Sequence, residues 1–260
     1  MSDAWNPEQY ERFRAERTQP FRDLLALVRR CPGGRVVDLG CGTGELTNEV
    51  HTTLQAAETL GIDRSAAMLA KARPVEGVRF EEGDIAAFDA AAGYDVIFAN
   101  AALQWVPDHD RLLRSLASAL RPGGQLAVQV PANADHPSHL VAGRVASEPP
   151  FVDAFAGHPP PDPVAQNVLR PEQYAELLDT LDFSEQHVRL QVYGHHMAST
   201  ADVVEWVKGT TLTRFRERLP DDLYEAFVVR YRDALLEVLG DRRPYFYPFK
   251  RVLFWAAKPG

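Results

Sequence analysis

Cysteine is almost absent: Cys31 and Cys41 are the two thiols in 260 residues. That scarcity excludes a disulfide framework and a thiolate metal cluster, both of which need pairs of cysteines at short fixed spacings. Cys41 falls inside a glycine-rich stretch where a small side chain suffices, and both cysteines read as small apolar fillers. No run approaches the ~18 consecutive apolar residues of a membrane span, so no membrane partner is expected. The first residues, Met1-Ser2-Asp3-Ala4-Trp5-Asn6-Pro7, lack the basic start and apolar stretch of a secretory leader, which makes a cytoplasmic location the expectation. The net charge is −8 and no block rich in Lys or Arg interrupts it. A nucleic-acid partner would want a basic stripe, so none is expected. An acidic chain can still take an anionic small molecule if it gathers positive charge locally. No internal repeat, low-complexity tract, Ser-His-Asp set or paired-carboxylate arrangement is found. His195-His196 stand without further ligands, so no metal is assigned.

What is present is ordinary globular material, 45% hydrophobic and 25% charged, long enough for one α/β domain with a modest insertion or cap. Phe21, Leu24, Leu25 and Val28 recur at helical spacing before Pro32-Gly33-Gly34 stops the run. Short apolar strands follow at Arg35-Val36-Val37-Asp38-Leu39, at residues 58–62, at 78–82, at 94–100 and at 125–130. A helix is expected between each pair, the one over 107–120 carrying Leu112, Leu113, Leu116 and Leu120. This alternation predicts a doubly wound, mostly parallel sheet with helices on both faces. Beyond Pro131 the pattern loosens. Residues 148–163 hold six prolines and read as a loop or lid. Residues 171–181 and most of 201–239 read as helix, 187–193 as a strand, and 249–256 as a closing strand. The expected organisation is one domain: an N-terminal cap segment over 1–30, a cofactor-binding core over 31–135, sheet elements interleaved with a mainly helical substrate cap over 136–248, and the closing strand over 249–258.

The strongest chemical signal is Asp38-Leu39-Gly40-Cys41-Gly42-Thr43-Gly44. A strand delivers the chain to the carboxyl edge of the sheet. Glycines there let the backbone turn tightly and approach a ligand. The helix that follows points free N–H groups at the site. The dinucleotide fingerprint G-x-G-x-x-G serves a pyrophosphate by the same logic. Here the spacing is G-x-G-x-G, with a carboxylate two residues before the first glycine. That carboxylate repels a pyrophosphate and suits a cation. S-adenosylmethionine, with its ammonium and sulfonium, fits better than a nicotinamide cofactor.

Further groups fall at the same edge. Asp63 ends the second strand, 19 residues after Gly44, where a carboxylate can accept hydrogen bonds from both ribose hydroxyls. Asp84 follows the third strand and is placed for the adenine amino group, with Ile85 against the ring. Asn100 ends the fourth strand. Helix capping is the competing role for Asp63 and Asp84, but four strand ends carrying suitable groups favour a ligand.

These residues resemble a known motif set. Val37-Asp38-Leu39-Gly40-Cys41-Gly42-Thr43-Gly44, Gly61-Ile62-Asp63, Gly83-Asp84-Ile85 and Leu120-Arg121-Pro122-Gly123-Gly124 are similar to those of class I S-adenosylmethionine-dependent methyltransferases, whose fold is Rossmann-like. A narrower resemblance, to the trans-aconitate 2-methyltransferase family, runs over nearly the whole chain. It rests on Trp5-Asn6-Pro7, Tyr10, Phe13, Arg17, Pro20 and Leu24-Leu25, and on the run from Phe98 through Ala102-Leu103-Gln104-Trp105-Val106-Pro107-Asp108 to His109. It continues through Leu126-Ala127-Val128-Gln129-Val130-Pro131, Trp206-Val207, Thr210, Leu212, Phe249 and Arg251. That family converts one carboxylate of trans-aconitate to a monomethyl ester. The resemblance therefore implies a small carboxylic acid as substrate. Two departures stand out: Leu212-Thr213-Arg214 where the family reads Leu-Arg-Pro, and Phe249-Lys250-Arg251 where it reads Phe-Pro-Arg.

A carboxylate nucleophile has a pKa of about 4 and is ionised at neutral pH, so it needs no general base. No catalytic side chain is assigned for that reason. Proximity, alignment and exclusion of water would carry the rate. Gln104 is expected to hydrogen-bond the substrate and Trp105 to pack beside adenine or substrate, core packing being the alternative for the indole. Tyr10, on the cofactor, and Trp5, on the substrate, belong to a segment expected to fold over the site. Arg17 is expected to meet a carboxylate. Arg214, Lys250 and Arg251 are candidate carboxylate clamps, with an ordinary surface charge the competing reading of each. Two other acceptor readings remain at this stage. A phenol or natural-product hydroxyl would want a base, for which His109 is the nearest candidate although its Pro-Asp-His helix start reads as exposed. A non-catalytic cofactor-binding protein is the other.

Overall fold

The computed structural model describes residues 14–88 and 93–260, with side chains from residue 18 onward. Trp5 and Tyr10 lie outside the described residues, as does the side chain of Arg17. The contacts gather into two compact units. A sheet unit comprises Thr18–Pro131, Asn167–Gln191 and Arg251–Gly260; a cap unit comprises Ala132–Gln166 and Val192–Lys250.

In the sheet unit, helix α1 (Arg14–Leu25) buries Phe21, Leu24 and Leu25, the expected apolar stripe. Strands β1 (Arg35–Leu39), β2 (Glu58–Asp63), β3 (Val78–Glu82), β4 (Tyr94–Asn100) and β5 (Leu120–Pro131) run parallel to their neighbours. Strand β7 (Tyr245–Ala257) adds to β5 in the antiparallel sense, and with β6 (Glu185–Met197) the sheet order is β3-β2-β1-β4-β5-β7-β6. The order reverses between β1 and β4. In open α/β sheets that reversal opens a crevice beyond the strand carboxyl ends, and ligands bind there. Val36, Val37 and Leu39 of β1 and Val96, Ile97 and Phe98 of β4 are all fully buried, as central strands covered on both faces require. Helix α2 (Glu45–Leu54) turns Thr47, Val50 and Leu54 inward, helix α3 (Ala66–Leu69) follows β2, and helix α4 (His109–Ser118) buries Leu112, Leu113 and Leu116.

Several boundaries differ from those read in the sequence, each for a reason of packing. Strand β5 begins five residues before the expected 125, at Leu120 opposite Tyr94, and the Arg121-Pro122-Gly123-Gly124 turn is carried as a bulge before Gln125 pairs with Val96. In the cap unit, helix α5 (Pro137–Ala146) was not anticipated. It starts at a His-Pro step, and His136 Nδ1 accepts the Ser138 N–H at 3.1 Å in place of the usual Ser or Asp cap. The proline-rich 148–163 stretch is not all loop. Helix α6 (Phe151–Ala154) forms because Phe151 and Phe155 are anchored in the core, and helix α7 (Pro163–Asn167) starts on the last of the prolines.

Helix α8 (Pro171–Thr180) agrees with its expectation. So do the cap helices α9 (Asp202–Lys208), α10 (Thr213–Arg216) and α11 (Asp221–Leu239). The core of the cap unit is aromatic. Phe227 meets Phe215 at 4.7 Å and Phe151 edge-on at 5.2 Å, and Tyr231 and Tyr247 are fully buried beside them. Among the described residues no helix is long and apolar enough to cross a membrane.

Candidate active site

The sheet unit carries the first constellation. As β1 ends, Gly40 and Cys41 donate their N–H groups to the Ile62 carbonyl at 2.7 and 3.0 Å, which pins the loop against the end of β2. Gly40 has φ +78°, and a Cβ there would lie 2.2 Å from the Ala102 Cβ, so only glycine fits. Gly44 likewise has φ +75° at the start of α2, with the Phe80 ring 2.3 Å from where its Cβ would be. Gly42 donates its N–H to Asp63 Oδ2 at 2.9 Å, and Ser65 donates to Oδ1 at 2.9 Å. Asp63 thus ties the glycine loop to the end of β2 while keeping lone pairs free for a ligand.

Asp38 is buried beneath the loop. Its Oδ2 accepts from the Thr47 hydroxyl at 2.6 Å. Among the described residues no cation pairs with it, and burial pushes its carboxyl up to about 6, the Thr47 hydrogen bond opposing and the negative Asp63 adding to the rise. A positive ligand group beside Asp38 would reverse that shift. Thr47 was not foreseen from the sequence. It stands nine residues beyond Asp38, in the first turns of α2, where the helix aims it back at the strand.

Asp84 is exposed and accepts the Ala86 N–H at 2.9 Å, so it does cap a short 3-10 turn (Ile85–Ala87). Capping uses one lone pair of one oxygen and leaves the rest of the carboxylate open. Ile85 reaches the glycine loop, its Cδ1 3.7 Å from the position of a Gly40 Cβ. At the end of β4, Asn100 presents a buried Oδ1 with no hydrogen-bond partner among the described residues. Gln104, in a 3-10 turn (Leu103–Trp105), donates to the Ala101 carbonyl at 2.7 Å and leaves its own buried Oε1 unmet. A desolvated carboxylate without a cation, two unmet acceptors and a cradle no side chain can enter fit a ligand rich in N–H and O–H donors and carrying positive charge. S-adenosylmethionine is such a ligand.

The observed burial overturns one expectation and removes two competing alternatives. Trp105 is 41% exposed, so the core-packing alternative fails for it. His109 is not on the surface: it is 3% exposed, with Nδ1 2.6 Å from the Tyr174 hydroxyl and Nε2 2.9 Å from the Leu103 carbonyl oxygen. Burial depresses its pKa, and both ring nitrogens are engaged. Arg251 is buried as well, donating from Nη1 to Gln129 Oε1 at 3.0 Å, so a surface charge is not its role.

The cap unit holds the other candidate clamps. Lys250 forms an ion pair with Asp135, which draws the Asp135 pKa down and spends the lysine's charge. Arg214 is not at the surface either. Its side chain is 9% exposed, and Nη1 stands 3.1 Å from Asp162 Oδ2, off the line of a good hydrogen bond. The same oxygen meets His139 Nδ1 at 2.7 Å. Burial opposes ionisation of Asp162, but the hydrogen bond from His139 and the nearness of His139 and Arg214 outweigh it and hold the carboxyl well below the ordinary range. Neither His139 nor Asp162 was singled out from the sequence. The one available signal was an acid set between prolines in Pro161-Asp162-Pro163.

Comparison with known proteins agrees with this geometry. Residues 31–159 match a family model described as a methyltransferase domain. A trans-aconitate 2-methyltransferase of Deinococcus radiodurans is 44% identical over 259 residues, 98% of each chain. One of Methylobacterium nodulans is 41% identical over 264 residues, 99% of each chain. Among solved structures, the YcgJ protein of Bacillus subtilis shares the fold at a TM-score of 0.60 and 14% identity, over 94% of this chain and 99% of that one. On sequence identity maintained over nearly its whole length, this chain belongs to the trans-aconitate 2-methyltransferase family.

Proposed function

We propose that this protein uses S-adenosylmethionine to convert one carboxylate of trans-aconitate to its methyl ester. The observation that carries the cofactor is Asp38: a buried carboxylate under a glycine loop, raised by burial and lacking a cation among the described residues. The acid follows from the named activity of relatives 41–44% identical over nearly the full chain. S-adenosylmethionine supplies an electrophilic methyl group on a sulfonium. Asp38, Gly40, Gly42 and Gly44 receive the positively charged end, Asp63 accepts from the ribose hydroxyls, and Asp84, Ile85 and Asn100 receive the adenine side. Tyr10 is assigned to the cofactor, and Trp5 and Arg17 to the acid, on the resemblance of their segment.

The acid needs binding and alignment only, being ionised already at neutral pH. Gln104 offers its amide and Trp105 its exposed face. Arg214 and Arg251 supply buried guanidinium donors, the geometry suited to carboxylates. A phenol acceptor is disfavoured by a specific observation. His109, its candidate base, has both nitrogens occupied and is held neutral by burial. Both cysteines are free thiols, which favours a reducing compartment and so the cytoplasm.

The test is methyl transfer from labelled S-adenosylmethionine to trans-aconitate, cis-aconitate, isocitrate and citrate. Strong preference for trans-aconitate is expected. Cofactor binding without transfer to any of these acids would refute the acceptor.

A further inference from the structure

Within the cap unit, three charged or titratable side chains line one cavity of about 350 Å³: His139, Asp162 and Arg214. Their hydrogen-bonding capacities are unequally spent. Asp162 is engaged at both oxygens: Oδ2 meets His139 Nδ1 at 2.7 Å and lies near Arg214, and Oδ1 accepts the Val164 N–H at 2.9 Å. His139 is engaged at both nitrogens, its Nε2 lying 3.3 Å from Thr211 Oγ1. The Ser147 hydroxyl donates to the Gly143 carbonyl at 3.1 Å. Arg214 alone of these keeps unspent donors. Its side chain is more than nine-tenths buried, and among the described residues Nη1 has only its poorly aligned ion pair with Asp162 and Nε has no hydrogen bond. The Phe215 ring, 4.6 Å from the guanidinium carbon, covers one face of that group. The rest of the wall is apolar, with Ala134, Leu140 and Ala165 beside Gly143 and the three prolines 159–161, and proline presents no N–H to compete for an anion. Buried donors without partners are costly and persist where something receives them.

We propose that this cavity is a carboxylate-binding site, in which the guanidinium of Arg214 donates to a carboxylate of a small polycarboxylic acid while Asp162 and His139 act as positioning residues for it. The apolar wall takes the hydrocarbon part of the acid. The choice of acid rests on the acceptor proposed above; the site rests on Arg214 and its cavity. The acid can come from two sources, the acceptor itself or a separate effector acid.

The experiment is calorimetric titration of the full chain with trans-aconitate in saturating S-adenosylhomocysteine, so that no turnover occurs. Fumarate, which has one carboxylate fewer, is titrated in parallel. Arg214→Gln is expected to weaken trans-aconitate binding about tenfold or more. Gly143→Leu leaves the ion network intact and places a side chain where a Cβ meets nothing within 4 Å, so it fills the cavity and should weaken binding similarly even if Arg214→Gln fails to fold. The preference for trans-aconitate over fumarate should collapse in Arg214→Gln and Asp162→Asn, whereas a lesion that merely loosens the fold lowers both alike. S-adenosylhomocysteine affinity should hold in Gly143→Leu. Unchanged acid affinity in Gly143→Leu overturns the proposal. A KM for the acid that rises in step with the lost affinity assigns the site to the acceptor; a lost second equivalent with KM unchanged assigns it to an effector, and either supports the site. A chain that binds acid here and methylates none would sink the acceptor and leave the site standing.

Discussion

Asp38 in the sheet unit and Asp162 in the cap unit are both buried carboxylates, yet their pKa values move in opposite directions. Asp38 is pushed up to about 6, because one threonine hydroxyl cannot offset the loss of water. Asp162 suffers the same loss and is nevertheless held low, because a histidine and an arginine stand against it. Burial sets the cost of a charge, and its neighbours decide whether that cost is met inside the fold. Asp162 is complete within the cap. Asp38 has no counter-charge among the described residues, and that deficit is the ground on which it is proposed to meet the cofactor.

The comparison breaks first at Asp162. Replacing it by Ala leaves Arg214 buried without its counter-ion, and breaking such a pair costs about 3–5 kcal/mol. Urea unfolding at pH 7 should show a loss of that order. A loss under about 1 kcal/mol would mean that water reaches Arg214 freely and that the pair is incidental. The same measurement on Asp38→Asn should give the opposite sign. The native carboxyl titrates near 6 against 3.8 for an ordinary one, so the folded chain binds more protons than the unfolded chain between those values. The charged form therefore destabilises the fold fully above about pH 6, and the penalty vanishes as pH falls below 3.8. Asp38→Asn should stabilise the ligand-free protein at pH 7 by on the order of 1–3 kcal/mol and should weaken S-adenosylhomocysteine binding. If it destabilises the protein instead, Asp38 is part of a structural network and not an unfilled binding group.

How much of each region could be read from sequence follows the same divide. Asp38, Gly40, Gly42, Gly44, Asp63 and Ile85 lie at strand ends within one local motif series. The rise of a strand and the turn of a loop suffice to bring them together, and the structure does so. Thr47 escaped notice because threonine in a helix ordinarily means little. In the cap, by contrast, His139, Asp162 and Arg214 come from three separate stretches, and no spacing rule joins residues 23 positions apart in a proline-rich segment. His109 was misread for a related cause, and the surface reading of Arg251 fails for the same one. Each looks exposed in its local sequence, and each is covered by a partner far along the chain: Gln129, 122 positions away, and Tyr174, 65 positions away.

Asp63 sharpens the comparison from the cofactor side. Its carboxylate already receives Gly42 and Ser65 N–H groups at 2.9 Å, so it is partly satisfied where Asp38 is not. Asp63→Ala should weaken cofactor binding by about 1–3 kcal/mol. An unchanged dissociation constant would remove Asp63 from the ribose and leave it as a loop tether.

The smallest expected effect concerns His109 and the pH profile. Tyr174→Phe removes one hydrogen bond to a buried, neutral imidazole and should cost about 1 kcal/mol of stability with little change in kcat, because a carboxylate acceptor asks nothing of a base. Activity should then decline on acidification through Asp38, not through a histidine. As Asp38 takes up its proton near pH 6, the cofactor loses its counter-charge, so KM for S-adenosylmethionine should rise below that pH while kcat at saturation holds. Once the cofactor binds, its positive charge lowers the Asp38 pKa, and the same inflection measured in the complex should move to lower pH. A profile in which kcat itself falls with a midpoint near 6.5, and in which Tyr174→Phe shifts that midpoint, would give the base back to His109 and reopen the question of a phenolic acceptor.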